Sequence, residues 1–132
     1  MTVLGIIGMV IVVGITLSFT DNSVEENDAD VDLTVKGDVV MPSKVSRPGC
    51  EDNDRCYIPS QIMIEHGESV TWINEDSAFH SVTSGHYETP TDLFDSGHLD
   101  PFESYTLTFD EVGTYDYFCT LNPWMKGQVI VE

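Results

Sequence analysis

From residue 33 to the last residue, apolar and polar side chains alternate in short runs broken by turn-forming residues. Val70 and Trp72 alternate with Thr71 and Ile73, and Tyr105, Leu107 and Phe109 alternate with Thr106 and Thr108. A period of two places each set on one face of a strand. The same reading predicts strands over 33–36, 57–64, 69–74, 79–83, 93–96, 104–109, 114–119 and 128–131. Turn signals fall at Asn74-Glu75-Asp76, Gly85, Asp100-Pro101 and Gly113. About eight short strands without an amphipathic helix or an internal repeat predict an all-β sandwich or barrel.

The N-terminal quarter reads differently. Residues 3–19 form an apolar run without a charged side chain, close to the ~17 to 25 residues that span a bilayer. A basic n-region is missing, and Thr16-Leu17-Ser18 is a poor match to an Ala-x-Ala cleavage site. Segment 1–20 is therefore read as a retained transmembrane anchor in preference to a signal peptide, and either reading exports the rest of the chain. Residues 21–32 carry six acidic side chains and almost nothing apolar. Like-charge repulsion and the lack of buryable surface predict an extended acidic linker. A single domain is expected over 33–132, on the extracytoplasmic face.

The net charge is −18, and seventeen of the 23 Asp and Glu lie outside the linker, against five Lys and Arg in all. Phosphate backbones would find no neutralising surface, so nucleic acid is excluded as a partner. Solubility in a salty medium explains the charge more simply than steering toward a basic partner.

Charge leaves the chemistry open; cysteine narrows it. Cys50 and Cys56 bracket the polar insert Glu51-Asp52-Asn53-Asp54-Arg55, and in an exported domain such a pair most simply closes a small disulfide loop. A metal clip is the rival, weakened by the absence of a histidine between them. Cys119 is then unpaired, and metal ligation is one reason for an exported protein to keep a free thiol. The segment Cys119-Thr120-Leu121-Asn122-Pro123-Trp124-Met125 sets a thiolate and a thioether six residues apart on one tight loop. Soft sulfur suits copper, and a type 1 copper site needs one imidazole from a distant rigid strand, such as His80, plus a loop giving a cysteine, a second histidine and a weak axial methionine. Taken singly, His80 and Met125 are more simply packed core residues; together with Cys119 they point to copper.

Trp72-Ile73-Asn74, His80, Tyr105-Thr106-Leu107-Thr108-Phe109, Gly113-Thr114-Tyr115-Asp116-Tyr117-Phe118-Cys119-Thr120 and Pro123-Trp124-Met125-Lys126-Gly127 together resemble the small blue-copper proteins, the cupredoxins. The resemblance is strongest to the amicyanin and plastocyanin branch, and thaumarchaeal plastocyanin-like domains are similar as well, including a pair like Cys50 and Cys56. It covers residues 57–132 closely and 33–56 loosely. It implies a Greek-key β-sandwich, one type 1 copper ion, and one-electron transfer to a redox partner protein or membrane complex. His80 would be the first imidazole ligand, Cys119 the thiolate and Met125 the axial thioether. Residue 122, where the family places its second imidazole, is Asn122 here.

Asn122 raises three expectations. Copper is held by His80, Cys119 and Met125, with an amide oxygen, water or small ligand in the fourth place; or His86 or His98 substitutes, although both read more simply as loop histidines; or the domain is a copper-poor accessory subunit. His66, beside Gly67, reads as surface. No enzyme is expected: Cys119 and His80 lack a third orienting group and an oxyanion-hole glycine run, which leaves redox chemistry on a small ligand at an open copper position as the one variant.

Overall fold

The computed structural model describes residues 37–132. The segments read as anchor and linker and the strand expected at 33–36 lie outside the described residues. Among the described residues, no helix is long and apolar enough to cross a membrane.

Eight strands are present among the described residues: β1 Val39–Met41, β2 Gln61–Ile64, β3 Ser69–Asn74, β4 Thr83–His86, β5 Thr89–Asp95, β6 Ser104–Thr108, β7 Gly113–Phe118 and β8 Lys126–Val131. They form a three-stranded sheet, β1-β3-β6, and a five-stranded sheet, β2-β8-β7-β4-β5. β1 runs parallel to β3 and β2 parallel to β8, whereas β3 with β6 and β7 with β8 are antiparallel. The all-β sandwich expected from the alternation is what the chain builds.

The alternation does the packing. Val70 and Trp72 of β3 are fully buried, while on the opposite face Ser69 and Thr71 pair their hydroxyls with Thr108 and Thr106. Trp72 fills the space between the sheets, with ring centroids 5.4 Å from Tyr117 and 6.5 Å from Phe94 of the larger sheet and 5.8 Å from Tyr105 of its own. Burying a large aromatic side chain stabilises by roughly 1.5–3 kcal/mol from apolar area, so this cluster carries much of the association between the sheets.

Several elements differ from the sequence reading for identifiable reasons. β1 is three residues long and has no period of its own to reveal it, because its pairing partner, Trp72 to Asn74, lies about thirty residues away. The expected strand 57–64 shrinks to β2: Pro59 interrupts it, since proline has no N–H for a ladder, and Ile58 makes only an isolated bridge to Val40. The expected strand 79–83 splits, with His80 in an isolated bridge to Leu99 and β4 beginning at Thr83. Gly85 and His86, expected in a turn, end β4, and β5 starts four residues before the expected strand 93–96 because its N-terminal half is exposed and shows no apolar period.

Gly127 faces Tyr117 across the β7–β8 ladder, and a Cβ there would run into the Tyr117 ring. The Tyr117 hydroxyl and the Trp72 indole N–H are both buried without a hydrogen-bond partner. The Tyr117 ring is therefore held by packing against Tyr57 and Trp72 and not by its hydroxyl. Gly127→Ala should cost about 1–3 kcal/mol through overpacking, whereas Tyr117→Phe, which removes an unsatisfied hydroxyl, should leave stability unchanged or raise it by about 1 kcal/mol. Denaturant unfolding of the metal-free protein measures both, and a neutral Gly127→Ala would contradict the close approach.

Candidate metal centre

Five of the seven buried polar residues among the described residues lie on or beside the loops that follow β3 and β7: Asn74, Asp76, His80, Ser81 and Asn122 are all at most 7% exposed. Each is placed by a loop whose backbone is tied to a strand. Beyond β3, Asn74 donates its side-chain amide to the carbonyls of Ala78 and Leu99, and its Oδ1 accepts the Asp76 N–H. His80 exchanges both backbone hydrogen bonds with Leu99, at 3.3 and 2.7 Å. The segment carrying the imidazole is thus braced from two sides.

The imidazole is oriented by Asp76. His80 Nε2 lies 2.7 Å from Asp76 Oδ2, and both side chains are at most 3% exposed. A carboxylate only accepts, so Nε2 carries the proton and Nδ1 turns toward Cys119 and Asn122. There, Nδ1 is 3.8 Å from Cys119 Sγ and 3.1 Å from Asn122 Nδ2, which in turn lies 3.8 Å from the same sulfur. Among the described cysteines Cys119 is the one free thiol, and it is fully buried. Its sulfur also accepts the Ser81 N–H at 3.3 Å.

The loop after β7 brings these donors together. Cys119 N–H donates to the Met125 carbonyl at 3.2 Å and Met125 N–H to the Asn122 carbonyl at 2.9 Å, closing a compact turn. Thr120 N–H is caught by Ser81 Oγ at 2.9 Å, and Trp124 Nε1–H by the Val45 carbonyl at 3.1 Å. Met125 is fully buried beneath this turn. Cys50 and Cys56 form a disulfide, and Cys56 Sγ lies 3.9 Å from the Trp124 carbonyl, so the small disulfide loop packs against the metal-end loop. With Glu51 these two sulfurs make a compact group, but in the disulfide they have no thiolate to offer a metal.

Ionisation follows the contacts. Burial opposes charge on Cys119, yet the contact with the His80 ring and hydrogen bonds from the amides of Ser81, Asn122 and Leu121 outweigh it and hold the thiol below its ordinary pKa. Burial likewise opposes the imidazolium, and the bonds to Cys119 and Asp76 reverse it, lifting His80. Asp76 is held below the usual carboxylate range, its desolvation outweighed by His80 and the amides of Lys44 and Ser77. Thiolate character at a buried sulfur is what a soft metal ion requires.

Of the four residues read from the sequence, His80, Cys119 and Asn122 converge within hydrogen-bonding reach and Met125 lies buried at the end of the same loop. His86 and His98 are exposed, and His86 is engaged with Asp116 at 3.1 Å. His66 is exposed as well and contacts the Glu132 carbonyl. Asp76 escapes a reading of the sequence alone. Its position four residues before His80 in an apparently polar turn is the available signal, and burial gives it a role.

The sequence profile of copper-binding proteins of the plastocyanin/azurin family matches residues 45–132. The chain belongs to this family, the cupredoxins. It is 38% identical over 76 residues to amicyanin from Paracoccus versutus, covering 58% of each chain. It is 34% identical over 92 residues to plastocyanin from Scenedesmus fuscus, covering 64% of this chain and 94% of that one. Among solved structures, a purple cupredoxin from Nitrosopumilus maritimus superposes with a TM-score of 0.65 at 29% identity, covering 71% of this chain and 97% of that one. The match thus spans just under three fifths of the length of the Paracoccus amicyanin. The cofactor of the family is copper, and the chemistry of this cupredoxin's donor set fits it: a buried thiol of lowered pKa beside an imidazole nitrogen freed by its carboxylate partner.

Asp76→Ala should release the His80 ring. Imidazole nitrogen shifts should move from a fixed Nε2–H tautomer to a mixture, and copper affinity should fall by about 10–100-fold while the far-ultraviolet circular dichroism stays unchanged. An unaltered tautomer would show that the ring is fixed by packing instead.

Proposed function

We propose that this cupredoxin is an exported, membrane-anchored one-electron carrier in which His80, Cys119 and Met125 hold a single copper ion and Asn122 occupies the fourth place. The observation that carries this reading is the convergence of Cys119 Sγ, His80 Nδ1 and the Asn122 amide in a buried pocket, with Asp76 engaging the other ring nitrogen. Copper bound there would supply a reversible Cu(I)/Cu(II) couple tuned by the thiolate.

The protein's part is to hold the donors still. Braced backbone on both sides of the pocket keeps their geometry the same in either oxidation state, which lowers the reorganisation that electron transfer demands. Phe79 and Leu121, the chain neighbours of His80 and Asn122, are 52% and 43% exposed. Such apolar surface beside the donors is suited to being covered by a redox partner protein. Homology to amicyanins and plastocyanins supports the same assignment, and residues 3–19 supply the anchor.

Asn122 sets the terms of binding. Turned about its last side-chain torsion, the amide presents Oδ1 to the pocket, a harder and weaker donor than imidazole. The hydrogen bond from Asn122 Nδ2 to His80 Nδ1 also favours a second reading, a copper-poor accessory subunit of a membrane complex, because that bond occupies the lone pair a metal would use.

Copper titration separates the two. One equivalent of Cu(II) should produce strong thiolate-to-copper absorption in the visible that survives desalting, and Asn122→His should tighten binding at least about tenfold, roughly 1.4 kcal/mol. A colourless protein that loses its copper on desalting, with colour regained in Asn122→His, would favour the accessory subunit. Cyclic voltammetry of the coloured form tests reversible one-electron transfer.

A further inference from the structure

A cavity of about 630 Å3 is lined by Ser43, Lys44, Ser46, Arg47, Asp76 and Ser77. Its composition is unlike the rest of the surface. Residues 37–132 contain seventeen Asp and Glu but only Lys44, Arg47, Arg55 and Lys126 as Lys or Arg, so half of the cationic side chains of this region line one cavity. Three serine hydroxyls stand with them. In so acidic a protein, two cations and three hydroxyls around one concavity make a local site for an anion.

Asp76 specifies which anion. Its Oδ1 accepts the backbone N–H groups of Lys44 and Ser77, at 3.0 and 2.9 Å, and its Oδ2 accepts His80 Nε2–H at 2.7 Å. A carboxylate has about four acceptor positions, which leaves one on Oδ2 without a partner among these contacts. An oxyanion that carries its own proton can donate to that position. Sulfate, which has no proton at neutral pH, would set its lone pairs against the carboxylate instead.

We propose that this cavity binds a phosphate group that carries a P–OH proton, as inorganic phosphate or as the monoanion of a soluble phosphomonoester, whose second pKa is about 6. Lys44 and Arg47 neutralise its charge, the serine hydroxyls donate to its oxygens, and Asp76 accepts the P–OH proton in a hydrogen bond. Because the same carboxylate orients His80, the occupied cavity is electrostatically coupled to the imidazole. The site requires no copper, so its test is independent of the electron-carrier reading.

The experiment is a titration of the isotopically labelled full chain at about pH 6, where phosphomonoesters keep a large share of the P–OH form, and at constant ionic strength with sodium phosphate, glycerol 3-phosphate or sodium sulfate, followed by amide and imidazole nitrogen shifts. Saturable shifts at Lys44, Ser46, Arg47, Ser77 and the His80 ring are expected with phosphate or the phosphomonoester. The tighter of the two identifies the source, and sulfate should bind at least about tenfold more weakly. Arg47→Ala and Lys44→Gly should each weaken binding about tenfold or more, the loss of one charge-assisted hydrogen bond. Glycine is chosen because Lys44 has φ 74°, a backbone conformation that glycine adopts without strain. Shifts that never saturate, that sulfate reproduces equally, or that persist in both variants while the rest of the spectrum stays native would overturn the proposal.

Discussion

The hydrogen bond between Asp76 Oδ2 and His80 Nε2 is the contact on which the metal end of this protein depends. A buried carboxylate is costly unless it is paired and fully bonded. Asp76 meets that requirement by accepting two backbone amides besides the imidazole. Those amides come from different parts of the chain, Lys44 from the loop after β1 and Ser77 from the loop after β3. One carboxylate thus joins two loops and orients the ring. Its removal would leave His80 free to choose a tautomer and the Lys44 and Ser77 amides without acceptors.

Polar chemistry at one end of a sandwich conflicts with the apolar core in its middle, and the fold reconciles them by accounting for polar atoms. Asn74, Asp76, His80, Ser81, Thr83 and Ser84 are buried, and each finds hydrogen-bond partners among its neighbours. The two buried side-chain polar atoms without partners, Trp72 Nε1 and Tyr117 Oη, sit instead in the aromatic core. Each is an unsatisfied polar atom whose desolvation is a cost to the fold. A donor left unsatisfied at the metal end would instead compete for the sulfur or the imidazole.

The loop that carries the proposed donors is fixed from outside as well as from within. Its internal turn joins Cys119, Asn122 and Met125, while Trp124 reaches across to the Val45 carbonyl and packs beside the Cys50–Cys56 loop. Segments before the first long strand therefore help to hold the donors at the end of the chain. That arrangement gives the short disulfide loop a task beyond closing itself.

Sequence alone determined what depends on local periodicity and on chemical type. Two-residue alternation located β3 and β6 because their alternate residues face a core on one side and solvent on the other. A free thiol, a distant histidine and a methionine on one loop named copper because donor softness is a property of the side chains themselves. Non-local pairing was beyond it: β1 exists only because Val39 and Met41 can lie against Trp72 and Asn74, and nothing in three residues announces a partner thirty positions away. The tertiary structure alone decided that Asp76, an ordinary turn acid in sequence, becomes a buried partner of His80. It also decided that Asn122 points at the donors while His86 and His98 remain at the surface. A side chain's role at a site is set by desolvation and by which atoms face it, and both come into being only when distant segments pack together.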